Sequence, residues 1–120
     1  MKIIFTEDAP FPLGPYSQAV LAGDTLYCSG QIAVDDLDKD VAAQTHAVCK
    51  NIIAVLKAAD MQLSNIMKTT CFFADMADFA AFNAVYEQYF AHKPARSTVA
   101  AKQLPKDALV EVEVIAVKES

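Results

Sequence analysis

The stretch KPARSTVA, Lys93 to Ala100, holds Arg96, the single arginine of a 120-residue chain that otherwise carries its positive charge on lysine. Arginine presents a planar fork of N–H donors that matches a carboxylate in a bidentate way, whereas lysine is a compact point charge, so one arginine among lysines points to a place where geometry matters. The competing reading is a surface or interface ion pair, with Glu111 or Glu113 as the partner. Those two acids alternate with apolar residues in the closing run VEVEVIAV. A carboxylate can hold and activate a water against an electrophilic carbon when burial raises its pKa. Two acids that merely face solvent or an interface counter-ion would look the same in sequence.

Two more segments are candidates. GPYSQAV, Gly14 to Val20, sets Tyr16 and Ser17 at the exit of a proline-bearing loop, where binding side chains are commonly presented by a rigid scaffold. CSGQI supplies Ser29 and Gly30, and glycine lets a ligand approach the backbone closely; a bulged strand end is the alternative. His46 and His92 have no cysteine, histidine or aspartate at ligand spacing, so no metal site is expected, and His46 is expected to be solvated on its helix. Three glycines, with no GxGxxG or P-loop among them, cannot build a phosphate cradle.

Composition narrows the classes. A net charge of −5 with singly scattered lysines disfavours nucleic acid as a partner, because neutralising phosphates needs clustered cations. Cys28, Cys49 and Cys71 are odd in number, far apart and set in apolar stretches, which suggests reduced core thiols. No apolar run approaches the ~18 residues of a membrane span, and MKIIFTED turns acidic too soon for a signal peptide, so a cytoplasmic protein with no membrane partner is expected. The length suits one domain over residues 1–120.

The elements that must position these residues follow from periodicity. Ile3 to Phe5 reads as a short strand before a loop from Thr6 to Pro15. Ala19 to Leu21, the turn Gly23-Asp24 and Thr25 to Ser29 read as a hairpin, which Gly30 ends or bulges. From Val41 to Ala59 apolar residues recur at three- and four-residue intervals, giving a helix with Asp40 as its cap. IMKTTCFF reads as a strand. Phe79, Phe82, Tyr86, Tyr89 and Phe90 then mark a second helix, capped by Asp75 or Asp78 and ended by Pro94. Two strands close the chain, Ser97 to Ala101 and Leu109 to Val117; in the latter Val110, Val112, Val114 and Ala116 take one face and Glu111 and Glu113 the other. The order β-β-β-α-β-α-β-β implies an α+β domain, a mixed sheet with two helices packed on one face. Its other face needs covering, and further subunits are the simplest cover.

GPYSQAV, SGQI, KTTCFFADMADFAAFNAVYEQYF and PARSTVAAKQLPKDALVEVEVIAV, in that order, resemble the RidA (YjgF-type) family of imine and enamine deaminases, also labelled L-PSP endoribonucleases. The resemblance runs over nearly the whole chain. It implies a chorismate-mutase-like fold, a homotrimer whose sheets form a central barrel, and ligand sites between subunits. It further implies that Arg96 binds the substrate carboxylate and Glu111 positions the hydrolytic water, Glu113 being a second acid. Tyr16 would line the cleft, Ser29 and Gly30 form its polar floor, Asn83 lie near it, and Thr98 contribute through its backbone where many members have cysteine. The connection AVDDLDKD is shorter than the family's usual loop.

The activity so implied is that of a 2-iminobutanoate/2-iminopropanoate deaminase. Such an enzyme hydrolyses 2-aminoacrylate and related 2-imino acids to 2-keto acids and ammonium, with no cofactor. Two other readings remain open at this point: an endoribonuclease acting on messenger RNA, and a non-enzymatic trimer that binds small carboxylates.

Overall fold

The computed structural model describes residues 1–119. Eight principal elements follow one another: β1 (Lys2–Ile4), β2 (Ala19–Ala22), β3 (Thr25–Gln31), α1 (Val41–Ala58), β4 (Ile66–Phe73), α2 (Phe79–Tyr89), β5 (Ala95–Ala100) and β6 (Val110–Val117). This is the mixed α+β order expected from periodicity. The strands form one six-stranded sheet in the order β1-β2-β3-β6-β4-β5, in which β4 and β5 are parallel and every other pair is antiparallel. The last strand in sequence therefore lies inside the sheet. The parallel pair needs a crossover, and α2 is that crossover.

Both helices pack on the sheet face formed by Leu26, Thr69, Cys71, Phe73, Val110, Val112, Val114 and Ala116, all buried. Asp40 caps α1 as expected, its Oδ1 accepting from the Ala43 N–H at 2.9 Å. Buried Gln44 ties the short acidic connection to the sheet: its amide donates to the Lys39 carbonyl at 3.0 Å, and its oxygen accepts from the Leu109 N–H at 3.0 Å. Asp75 caps a short 3-10 turn that leads into α2, whereas Asp78 makes no capping bond. The helix then ends at Tyr89, ahead of Pro94, and Lys93 turns the chain with a left-handed φ of 55°.

The opposite sheet face carries a row across the strands, Ile3, Val20, Tyr27, Ile115, Lys68 and Ala95. No helix covers it. Ile3 is 60% exposed, Tyr27 49% and Val99 47%, an apolar surface that water meets directly.

Several element boundaries differ from expectation by one or two residues. β1 sits one residue earlier, and β5 begins at Ala95 because it pairs from Lys68 onward, which brings Arg96 inside the strand. β3 runs through Gly30 to Gln31 with a register shift between Cys28 and Gln31, so of the two readings of Gly30 the bulge holds and the strand end does not. His46 is not free in solvent: it is half-buried between the helices, and its Nδ1 shares a 2.8 Å hydrogen bond with the Tyr89 hydroxyl. Periodicity could not show this, because Tyr89 arrives from the other helix.

Candidate functional site

Arg96 lies on the helix side of the sheet. Its register partner is Thr69, whose own partner on β6 is the buried Val114. Residues paired across strands point to the same side, so the guanidinium rises toward α2. There its carbon lies 4.8 Å from the centre of the Tyr86 ring and 5.4 Å from that of Phe79. Its Nη1 donates to Asn83 Oδ1 at 2.8 Å. The Tyr86 hydroxyl shares a 2.8 Å hydrogen bond with buried Thr69, which fixes the ring on which the cation rests. Phe79, Asn83 and Tyr86 are spaced four and three apart, so one helical face presents all three.

Among the described residues no carboxylate pairs with Arg96; the single ion pair joins Lys39 to Asp36 at 3.0 Å. The alternative of an ion pair to Glu111 or Glu113 within the chain is thereby excluded. The half-buried guanidinium keeps donors free beside a groove of about 450 Å³ bordered by Asn83, Tyr86, Lys93 and Pro94. Thr98 stands two residues further along β5 on the same side, paired with Cys71.

Glu111 belongs to the other side. Its partner on β4 is Phe72, and it alternates with the buried Val110 and Val112. Its carboxylate lies over Gly30, so close that a Cβ at that position would overlap it. The bulge in β3 and the missing side chain together make room for the acid. Half-buried there, Glu111 has its pKa raised, first by loss of hydration and second by the nearby negative charge of Glu113.

Ser29 donates from its hydroxyl to the Ser17 carbonyl at 2.6 Å, and its N–H donates to the Gln18 carbonyl at 2.9 Å. It thus holds the loop exit against β3, which is a positioning role. Tyr16 is 54% exposed and lines a cavity with Gly30. The expected residues therefore form two clusters in one chain: Arg96, Asn83 and Thr98 on the helix side, and Tyr16, Ser29, Gly30 and Glu111 around β3 and β6.

The residue pattern alone did not single out Phe79 and Tyr86 as supports for Arg96. Both fall within an apolar stripe, although Asn83 on the same stripe signals that the face is not purely core. The thiols are inert by burial, which pushes Cys28 and Cys49 up to about 12 and Cys71 up to about 11, the last moderated by its contact with Thr69 and by Arg96. No group of three or more potential metal ligands occurs among the described residues. Nor is any helix there long and apolar enough to cross a membrane.

Residues 6–118 match the profile of the family described as Endoribonuclease L-PSP. The chain belongs to that family. A RutC family protein of Pyrococcus horikoshii is 48% identical, over 98% of both chains. A protein of Escherichia coli named 2-iminobutanoate/2-iminopropanoate deaminase is 43% identical, also over 98% of both. Among solved structures, Escherichia coli TdcF with bound serine superposes with a TM-score of 0.94 at 39% identity, covering 99% of this chain and all of that one. The L-PSP fold is thus shared end to end, the relatives include a named imine deaminase, and one relative holds a small amino acid.

Proposed function

We propose that the protein hydrolyses 2-imino acids, 2-aminoacrylate and 2-iminobutanoate among them, to 2-keto acids and ammonium, in a homotrimer whose sites lie between subunits. One observation carries the reading: among the described residues a half-buried guanidinium has no anionic partner and a half-buried carboxylate no cationic one, each braced by its own scaffold. Such a pair suits a zwitterion-like substrate that brings a carboxylate at one end and an iminium carbon at the other.

In this mechanism Arg96 takes the substrate carboxylate through its free donors, steadied by Asn83. Glu111 accepts a proton from a water as the water oxygen bonds to the imine carbon, giving a carbinolamine. The proton held on Glu111 then goes to the nitrogen, the C–N bond breaks as the electron pair on oxygen forms the carbonyl, and the hydroxyl proton passes to the departing ammonia, giving ammonium and leaving Glu111 as the carboxylate. No oxidant or cofactor enters the balance. Holding water and substrate in contact removes the entropic part of the barrier, and a raised carboxylate pKa favours carrying the proton between steps. The enamine form of the substrate needs only protonation at its terminal carbon to enter this path.

The test is to generate aminoacrylate from serine with a dehydratase and to follow pyruvate and ammonium with and without the protein. Wild type should accelerate release, and Arg96→Ala should not. Equal rates with and without the protein would end the proposal. RNA cleavage is the weaker reading, since the candidate site offers one arginine and no histidine pair for strand scission.

A further inference from the structure

Lys93 stands three residues before Arg96, at the corner between α2 and β5. Its φ of 55° is left-handed, a conformation that glycine takes readily and a lysine does not. The corner is held on both sides. The Lys93 N–H donates to the Phe90 carbonyl at 3.0 Å, His92 Nε2 donates to the Ile66 carbonyl at 2.9 Å, and Pro94 follows with its ring-fixed φ. Strain held in place this way commonly marks a functional site. The exposed Lys93 borders the same groove of about 450 Å³ as the Arg96 guanidinium. Three residues of chain limit the two Cα atoms to a separation of about 11 Å, so the two long side chains can close on one small molecule. Among the described residues Glu87 is the one acid on the border of the groove, and Lys93 pairs with no carboxylate, the single ion pair being Lys39 with Asp36. Two cations against one acid make the groove locally positive in a chain whose net charge is −5.

We propose that Lys93 forms a second anion subsite beside Arg96, through which the protein takes 2-imino acids bearing another carboxylate on the side chain, the imines of acidic amino acids. The inference rests on the hydrolase reading for the reacting end of the substrate: Arg96 holds the carboxylate next to the imine carbon, and Lys93 receives the one at the far end. Lysine suits that second place. A point charge on a flexible stem can follow side chains of different length, whereas the arginine fork fixes the first carboxylate in one plane. Because Lys93 is exposed, its pull on an anion is modest and is screened by salt, so the expected preference is a few-fold.

Calorimetric titration with 2-oxo acids, the stable products of the reaction, reads the subsite independently of turnover. 2-Oxoglutarate is compared with its 5-methyl ester, which keeps the chain and neutralises the distal carboxylate. Wild type should favour the diacid about fivefold at low ionic strength, and the preference should shrink as salt is added. Lys93→Gly should make the two affinities equal, and it should cost no stability, because glycine accepts the left-handed φ. Lys93→Arg should retain the preference. Lys57→Gln removes an equal charge in the last turn of α1, off the border of the groove, and should leave the ratio as it is in wild type. The inference is overturned by equal affinities in wild type, by a ratio that survives Lys93→Gly, or by a ratio that falls as far with Lys57→Gln as with Lys93→Gly. Aminoacrylate hydrolysis with equal binding of diacid and ester would leave the hydrolase reading intact and sink the subsite; a diacid preference that depends on Lys93, without imine turnover, would do the reverse.

Discussion

Arg96 and Glu111 stand on opposite faces of one sheet: Arg96 aligns through Thr69 with the buried Val114, whereas Glu111 aligns with Phe72 on the side without helices. A single copy therefore cannot bring both to one small substrate. If two copies complete each site, mixing two inactive variants, Arg96→Ala and Glu111→Ala, through unfolding and reassembly should restore activity. With random reassembly about a quarter of the sites receive both native residues. Recovery of none would mean that the two residues never share a site.

Arg96→Lys keeps the charge but loses the fork and the flat stacking on Tyr86. Its kcat/KM for imine hydrolysis should fall by roughly 2–4 kcal/mol of transition-state binding, that is, by one and a half to three orders of magnitude. Circular dichroism should show an unchanged fold, because among the described residues no ion pair to Arg96 is there to be broken.

Glu111→Gln should separate stability from activity. With its folded pKa above the ordinary 4.5, Glu111 binds a proton more tightly in the fold than in the unfolded chain, so its stabilising contribution is full in acid and is lost as pH rises through the raised value. At neutral pH the variant should melt higher than wild type. Solvent screens part of the effect at a half-exposed side chain, so the rise is held to about 2 °C. Calorimetry near pH 4 should show the gap closing, while imine hydrolysis is lost at every pH.

Glu113 acts on the same group from a distance. Its charge is the second cause of the raised Glu111 pKa, after burial. If ionised Glu111 is the base, the acidic limb of kcat/KM lies above the usual glutamate range, and Glu113→Gln should move it toward lower pH. The limb should stay above 4.5, because burial remains. A limb that does not move would place the titrating group elsewhere.

Gly30→Ala puts a methyl where the Glu111 carboxylate lies. The backbone there is not in the left-handed region, so the cost falls on the acid and not on the chain. Activity should drop at least tenfold with the fold retained, by displacement of the group that positions water. Adding Glu111→Ala should recover the stability lost to Gly30→Ala and leave activity absent.

Local order determined much of this protein. The helix from Val41, its Asp40 cap and the alternation of β6 are all legible in the order and spacing of residues, because burial of one face is what those periods encode. The oddity of a lone arginine was legible for the same reason: residue type is visible without a fold. Tertiary structure alone decided which groups meet. That Arg96 rests on Tyr86, that Glu111 fills the space above Gly30 and that His46 finds Tyr89 all depend on strand order and register or on how the helices pack. Pairing across a sheet is set by the summed packing of distant segments, and shifting one strand by a residue would send Glu111 to the helix side without changing a letter of the sequence.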